Sequence, residues 1–239
     1  MRSYFIFNNQ NSSKYGILER LPPMQTPTSK NTVMQIPGKP EPVYQSEIEL
    51  PSIMIPCVLG LTDKTKRRDI NAWLRGSGVL IFSDELDKFY KVANVTLGHE
   101  YLSTNFSKVG VNFECSPLAY NMGNEPITLT APGSIKINGT YFSEPIYTIN
   151  FKKITEIPEN IVFMVNGQGV TIKLNEEHIN HSITLDATVQ KIYYTDTKKL
   201  IMPDTSGLVP YLNTSGNNIV DWSGDIIESV EIVKNERWL

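Results

Sequence analysis

The sequence predicts a mainly β protein of two domains with a single helix. Ile, Val and Thr together number 60 of the 239 residues, whereas Ala numbers 5, and β-branched side chains favour strands over helices. Short apolar runs separated by turn residues fill the second half of the chain, as in β-sandwiches and jelly rolls. Because domains usually contain about 100–150 residues, we expect one domain over residues 1–130 and another over residues 131–239.

The one predicted helix covers about residues 64–75, the segment in which an apolar period of 3.6 residues stands out. Asp63 or Thr65 is a suitable N-cap, because its side-chain oxygen can accept a hydrogen bond from the first turn. Gly76 is a suitable stop signal. The apolar residues at spacing i, i+3 and i+4 share one face, which we expect to pack on the sheet: Ile70, Trp73 and Leu74.

A run of basic residues opens this helix. Lys64, Lys66, Arg67 and Arg68 fall in its first turn, where cations oppose the helix dipole. One interpretation is a site for phosphate or for an acidic partner. A solvated helix face is the interpretation that we favour, because short basic runs are common. The sequence leaves the role of Lys66, Arg67 and Arg68 open.

Three strands are predicted around the helix. Residues 79–82 and 89–95 should form a hairpin across 83–87, a turn rich in side chains that bond their own backbone. Residues 109–115 alternate between apolar and polar positions, and Pro117 should end this strand. The apolar positions of the third strand share one face: Val109, Val111, Phe113 and Cys115.

The segment 22–56 contains eight prolines. Such a density is incompatible with the middle of a sheet, because proline cannot donate to the hydrogen-bond ladder. We expect extended arms and edge segments rather than disorder. The apolar residues that remain for packing in this segment are Ile36, Val43, Tyr44, Ile48 and Leu50.

Closely spaced hairpins are predicted in the second domain. Asn138-Gly139, after the alternating Ile135 and Ile137, is the strongest short hairpin signal. Further strands are predicted at 161–165 and 170–174 across the turn 166–169, at 182–186 and 189–194, and at 219–222 and 226–233.

Charge and composition exclude several classes of protein. Lys and Arg number 22 against 25 Asp and Glu, so the net charge of -3 disfavours a protein that coats nucleic acid. No apolar run approaches the roughly 18–20 residues that cross a bilayer. The apolar start at residues 4–7 is too short for a secretion signal. We therefore expect no membrane association, retention in a cytoplasm until assembly, and reduced, buried Cys57 and Cys115.

The residues predict no catalytic, cofactor-binding or metal-binding set. His178 and His181 are spaced His-x-x-His, but they fall between two strands, so we favour a polar loop over a metal site. Cys115 has no histidine nearby in sequence, and the carboxylates within 84–87 lie in a turn rather than across a cleft. Gly76-Ser77-Gly78 follows a helix instead of opening one, which is the wrong order for a dinucleotide loop.

Five aromatic residues are candidates for stacking on sugars or bases. We favour core positions and cross-strand pairs for them, because aromatic residues on strands usually take those places. They are Tyr193, Tyr194, Tyr211, Trp222 and Trp238.

Several segments, taken in chain order, resemble those of one known family. The more specific ones are the helix at 68–78, the hairpin at 79–91 with its acidic turn, and Asn138-Gly139-Thr140. The others are 4–9, 15–17, 113–117 with Tyr120, 143–145, 216–219 and 237–239. This order spans nearly the whole chain and resembles the distal tail proteins (Dit) of long, non-contractile siphophage tails.

The resemblance implies an N-terminal ring-forming β domain with one α-helix and a C-terminal galectin-like β-sandwich. It implies a structural protein of the tail tip or baseplate, without enzymatic activity or cofactor, that forms a homo-hexamer, with stacked rings as one arrangement. The expected partners are the major tail tube protein, the tail-tip or fibre protein, and receptor-binding or peripheral baseplate proteins. DNA would pass through the lumen without specific binding. The protein would belong to the virion after synthesis in the bacterial cytoplasm.

Two other functions remain open from the sequence. A stand-alone lectin-like protein would bind glycans as a monomer and form no ring. A tail-tube subunit would have one domain and stack without limit, whereas a second, hairpin-rich domain favours a ring with appendages.

Overall fold

The chain forms a mainly β protein, as predicted, in a computed structural model. The structure describes residues 3–23, 26–27, 31–46, 50–61, 63–101, 107–153, 157–214 and 216–239. It divides into two compact units, Met1–Met122 with Leu239, and Gly123–Trp238. The expected second domain begins at residue 131, eight residues after this division. Residues before 131 group with the second unit because Ile127–Leu129 pairs with a strand there.

One α-helix and nine strands make up the described part of the first unit. The helix α1 covers Arg67–Trp73 and follows a 3-10 turn at Lys64–Lys66. The strands are β1 (Phe5–Phe7), β2 (Gln10–Asn11), β3 (Gly16–Leu18), β4 (Asn31–Met34), β5 (Val43–Ser46), β6 (Ile53–Leu61), β7 (Gly78–Phe82), β8 (Lys88–Tyr101) and β9 (Ser107–Asn121). The main sheet has the order β2-β1-β7-β8-β9-β6-β3, and its neighbouring strands are antiparallel.

The long strand β9 confirms the predicted alternation and corrects its end. Val109, Val111, Phe113 and Cys115 are all buried. The prediction that Pro117 ends the strand is wrong, because β9 continues to Asn121. The pairing with β8 becomes irregular beside the proline, and this irregularity accommodates a residue that has no N–H to donate.

The helix is shorter than predicted, although its apolar face is correct. Ile70, Trp73 and Leu74 are buried. The first predicted turn is 3-10, where Asp63 Oδ1 accepts from the Thr65 amide at 2.8 Å, so Asp63 is the capping side chain. The helix ends because Leu74 leaves helical geometry, with ψ of 59°. Gly76 then has φ of 79°, a left-handed conformation that glycine adopts without strain.

The proline-rich segment contains a short hairpin and one strand of the main sheet. β4 and β5 pair with each other, and Ile36 between them is 43% exposed. Pro56 lies within β6, against the expectation that these prolines avoid the sheet. Within the described residues, β3 pairs with β6 only at positions 59–61, so β6 has an open edge at Pro56, where proline is tolerated. Ile48 lies outside the described residues.

The described part of the second unit has eleven strands, and all of them except β20 form two five-stranded antiparallel sheets. Its strands are β10 (Ile127–Leu129), β11 (Gly133–Ile137), β12 (Ile146–Phe151), β13 (Asn160–Val165), β14 (Gln168–Lys173), β15 (Ile183–Asp186), β16 (Lys191–Tyr194), β17 (Thr205–Gly207), β18 (Gly216–Ser223), β19 (Ile227–Val233) and β20 (Arg237–Trp238). The sheets have the orders β10-β19-β12-β15-β16 and β11-β18-β13-β14-β17. Buried side chains from both sheets, such as Tyr147 and Phe163, form one core, which is the arrangement of a β-sandwich.

The predicted hairpins of the second unit are partly correct. Asn166 and Gly167, with φ of 53° and 79°, form the turn between β13 and β14. The pairing of β15 with β16 is also confirmed. The hairpin at Asn138-Gly139 is wrong, because β11 pairs with β18 instead. A side chain at Gly139 would come within 2.5 Å of the Arg237 carbonyl oxygen, so this glycine permits a close backbone approach.

Candidate functional site

The helix α1 is held on the first unit by an aromatic stack. The Trp73 ring lies between Phe5 and Tyr15, at centroid distances of 5.7 and 4.9 Å. Its Nε1–H donates to the Phe7 carbonyl at 2.9 Å. These contacts fix which face of α1 packs inward, so its remaining residues form a defined outer face.

The exposed residues on and just after α1 carry more positive than negative charge. Arg67, Arg68 and Asp69 are exposed on the helix, and Arg75 is exposed two residues after its end. Lys66, expected to be unengaged, is half-buried, and its Nζ donates to the Lys14 carbonyl at 3.4 Å. The structure therefore reduces the predicted basic run to a patch centred on arginines, which we call the α1 basic face and define as Arg67, Arg68 and Arg75.

His99 connects this helix to β8. Its Nε2 is 2.8 Å from Asn71 Oδ1. Partial burial, together with the positive charge of Arg67, lowers the pKa of His99 from its ordinary value. A neutral imidazole is therefore favoured beside the α1 basic face.

The turn between β7 and β8 carries the carboxylates that the sequence singled out. Glu85 Oε1 pairs with Lys88 Nζ at 2.6 Å, whereas Asp84 is exposed. Leu86 at the tip is 53% exposed. The Ser83 hydroxyl accepts from the Tyr4 amide at 3.2 Å and ties the turn to the chain before β1. These groups lie along one turn rather than facing each other across a cleft, which is the geometry of a surface contact.

A small apolar slot opens beside this turn. Leu21, Pro22, Phe82 and Tyr90 contribute its walls, and Asp84 and Glu85 its acidic rim. Burial raises the pKa of Tyr90 to about 12, and the negative charge of Glu85 adds to this effect. The sequence analysis missed this slot, because its walls come from distant segments of the chain.

The two histidines of the second unit both lie against the Tyr194 ring but pair with different carboxylates. His178 is buried, and its Nε2 lies 3.4 Å from Asp204 Oδ2. His181 Nδ1 lies 2.7 Å from Asp196 Oδ2, and this contact lowers the pKa of Asp196. Within the described ranges, no three His, Cys, Asp or Glu side chains are grouped as metal ligands.

Both thiols lie in the interior of the first unit. Cys57 on β6 and Cys115 on β9 are buried and unbonded to each other. Burial raises the pKa of each thiol to about 12. A thiol of this pKa is a poor nucleophile at neutral pH, so the positions suit packing rather than covalent catalysis.

The five aromatic candidates are distributed over different parts of the second unit. Tyr193 and Tyr194 lie on β16 in one sheet, and Trp222 lies on β18 in the other. Tyr194 is buried, whereas Tyr211 is 39% exposed. This distribution does not form a shared platform on which one sugar would stack.

A cluster that the sequence analysis missed surrounds Arg237. Its Nε and Nη2 donate to the Phe142 carbonyl at 2.9 and 2.7 Å, and its Nη1 pairs with Glu144 at 2.9 Å. The guanidinium also lies 4.8 Å from the Phe142 ring centroid, and that ring contacts Tyr211. All three guanidinium nitrogens are therefore engaged within the second unit, which indicates a structural role for Arg237.

The segment Gly76-Ser77-Gly78 contacts Asn8, which directly follows β1. The Asn8 side chain donates to the Ser77 carbonyl at 3.3 Å and accepts from the Val79 amide at 3.0 Å. A side chain at Gly78 would meet Asn8. The small size of Gly78 thus allows the Asn8 side chain to lie against the start of β7.

In the described part of the chain, no helix is long and apolar enough to cross a membrane. No protein-family model matches the chain, and no curated protein matches it by sequence. Among solved structures, the fold is similar to the crystal structure of the SPP1 Dit (gp 19.1) protein, with a TM-score of 0.76 and 16% identity over 100% of both chains. That protein is described as a paradigm of the hub adsorption apparatus in phages that infect Gram-positive bacteria. The resemblance to distal tail proteins seen in the sequence is confirmed at the level of the fold.

Proposed function

We propose that this chain is a structural, non-enzymatic hub protein of a bacteriophage tail tip or baseplate. The observation that carries the proposal is the full-length similarity of its fold to SPP1 Dit, with a TM-score of 0.76. No cofactor is required for this role.

The two units take different parts in this proposal. The first unit forms a homo-hexameric ring, with stacked rings as one arrangement, and the second is a galectin-like sandwich. The presence of two units, each with its own strands and buried side chains, supports this division. A tail-tube subunit would need only one of them, and a solitary lectin would need no ring.

The ring joins the major tail tube protein on one side to the tail-tip or fibre protein on the other. Receptor-binding or peripheral baseplate proteins attach around it. DNA passes through the lumen without specific binding, and the net charge of -3 supports this, because tight binding of phosphates requires a basic surface. The protein is placed at the virion tail tip after synthesis in the host bacterial cytoplasm.

The β4–β5 hairpin is proposed as an arm that reaches a neighbouring subunit of the ring. Val33 and Met34 are 58% and 45% exposed, which leaves apolar surface for such a contact. Deletion of residues 31–46 should lower the stability of the ring as measured by light scattering. An unchanged oligomer after this deletion would show that the β4–β5 hairpin does not hold neighbouring subunits together.

Electron microscopy of the purified protein tests the proposed function. Negatively stained particles should be rings with six-fold symmetry and an open lumen, and rings should cap one end of tubes formed by the cognate tail tube protein. Isolated monomers that neither form rings nor cap these tubes would contradict the hub role. Glycan binding by such monomers would favour the lectin instead.

A further inference from the structure

The first unit carries opposite charges at two separated places. The α1 basic face is one, and the acidic turn with Asp84 and Glu85 is the other. Eleven residues of β8 separate Lys88, which pairs with Glu85, from His99, which contacts α1. At about 3.3 Å for each residue, a straight strand would place these two residues roughly 36 Å apart, which is an upper limit because the pairing of β8 is irregular between Tyr90 and Asn94. Among the described residues, no ion pair joins the two regions within one copy.

The rim of the slot beside the acidic turn has the chemistry for a basic side chain. Leu21, Pro22 and Tyr90 offer apolar walls, and carboxylates stand at the rim. Lysine and arginine bury an aliphatic stem on apolar surface while the charged head meets an acid. Glu85 is already paired with Lys88, so Asp84 is the carboxylate available to an incoming cation.

The basic residue that we match to this slot, Arg68, belongs to the same unit. Arg68 is exposed on α1, and Asp84 is exposed at the slot. Among the described residues, neither has an ion-pair partner. Two complementary surfaces at different places on one chain are what a head-to-tail contact between identical copies requires, and such contacts close into rings when the rotation allows.

We propose that the slot of one copy receives the α1 basic face of the next copy, with Arg68 directed to Asp84. This inference rests on the proposed ring and names the two surfaces that meet within it. Complementary charge aligns the copies as they approach, and the stem of the incoming arginine lies against the apolar residues at the rim of the slot.

Two charge reversals test this interface. Arg68→Glu and Asp84→Lys each place like charges in contact, so each variant alone should need a protein concentration at least about tenfold higher to assemble. An equimolar mixture of the two variants should regain assembly. In an alternating ring, Glu at position 68 meets Lys at position 84, and the native Arg68 meets the native Asp84 at the next contact.

Light scattering over a concentration series measures the outcome, and Lys173→Glu in the second unit is the matched control, because Lys173 is exposed on β14. Circular dichroism should show all variants folded, since both mutated side chains are exposed. Loss of the ring in each variant and its return in the mixture support the interface. If both reversal variants still form native rings, the proposed interface is wrong while the hub function stands. The interface is also wrong if the reversals only separate stacked rings from each other. A wild-type chain that stays monomeric both alone and with the cognate tail tube protein overturns both proposals. A reversal that abolishes only the capping of tail tubes overturns the interface between copies and assigns the surface to a different partner.

Discussion

Trp73 should contribute more to the stability of the first unit than its single hydrogen bond suggests. It is 8% exposed, stacks on Phe5 and Tyr15, and donates to the Phe7 carbonyl. Trp73→Phe keeps a ring in the stack but leaves that carbonyl without this donor, which costs about 1–3 kcal/mol. Trp73→Ala also removes the ring and leaves a cavity, so we expect a loss of about 3–5 kcal/mol.

Urea unfolding followed by circular dichroism gives the free energies, and hydrogen exchange by mass spectrometry locates the change. Peptides covering β1 and α1 should lose protection, whereas peptides of the second unit should not. Trp222→Phe, in the second unit, is the matched control and should leave β1 and α1 unaffected. Equal losses for Trp73→Phe and Trp73→Ala would refute the separate contribution of the stack. No loss for either variant would refute the anchoring role.

Three other predictions concern the two thiols, His99 and Gly139. Cys57 and Cys115 should resist a thiol-specific reagent at about pH 8 in the folded protein and react after denaturation, because burial raises both pKa values; fast labelling of the native chain would contradict this. The pKa of His99 is lower in the folded protein than its unfolded value of about 6.5. Its contribution to the free energy of unfolding should therefore be complete above about pH 6.5 and be lost as the pH falls through the folded pKa. NMR titration measures the folded pKa, and a pKa above about 6.5 would contradict the predicted direction of this pH dependence. Gly139→Ala should lower the melting temperature, since its Cβ would lie 2.5 Å from the Arg237 carbonyl oxygen, and an unchanged value would show that the backbone relaxes there.

Local patterns predicted much of the fold. The alternation around Phe113 and the turn at Asn166-Gly167 depend on residues close in sequence, and the structure confirms both. Asn138-Gly139 has an equally good local signal, but β11 pairs with β18, far along the chain. The prediction failed because long-range strand pairing, with the backbone of Arg237 approaching Gly139, decides the conformation there.

Of the two surfaces in the candidate interface, only the basic one could be recognised from the sequence. The basic run around Arg68 can be recognised in the sequence because its residues are adjacent, although the sequence alone favours a solvated helix face for it. The slot is not visible in this way, because Leu21, Phe82 and Tyr90 come together only when β7 and β8 pair in the folded sheet and the segment after β3 contributes to the walls. Charge complementarity between the two surfaces therefore becomes apparent only in three dimensions.

The mass of the purified protein in solution tests the proposed hub function most directly. Light scattering over a range of concentrations should give about 162 kDa, six times the chain mass of 27.0 kDa, or twice that value for stacked rings. A mass of 27.0 kDa at every concentration, both alone and with the tail tube protein, would contradict the ring.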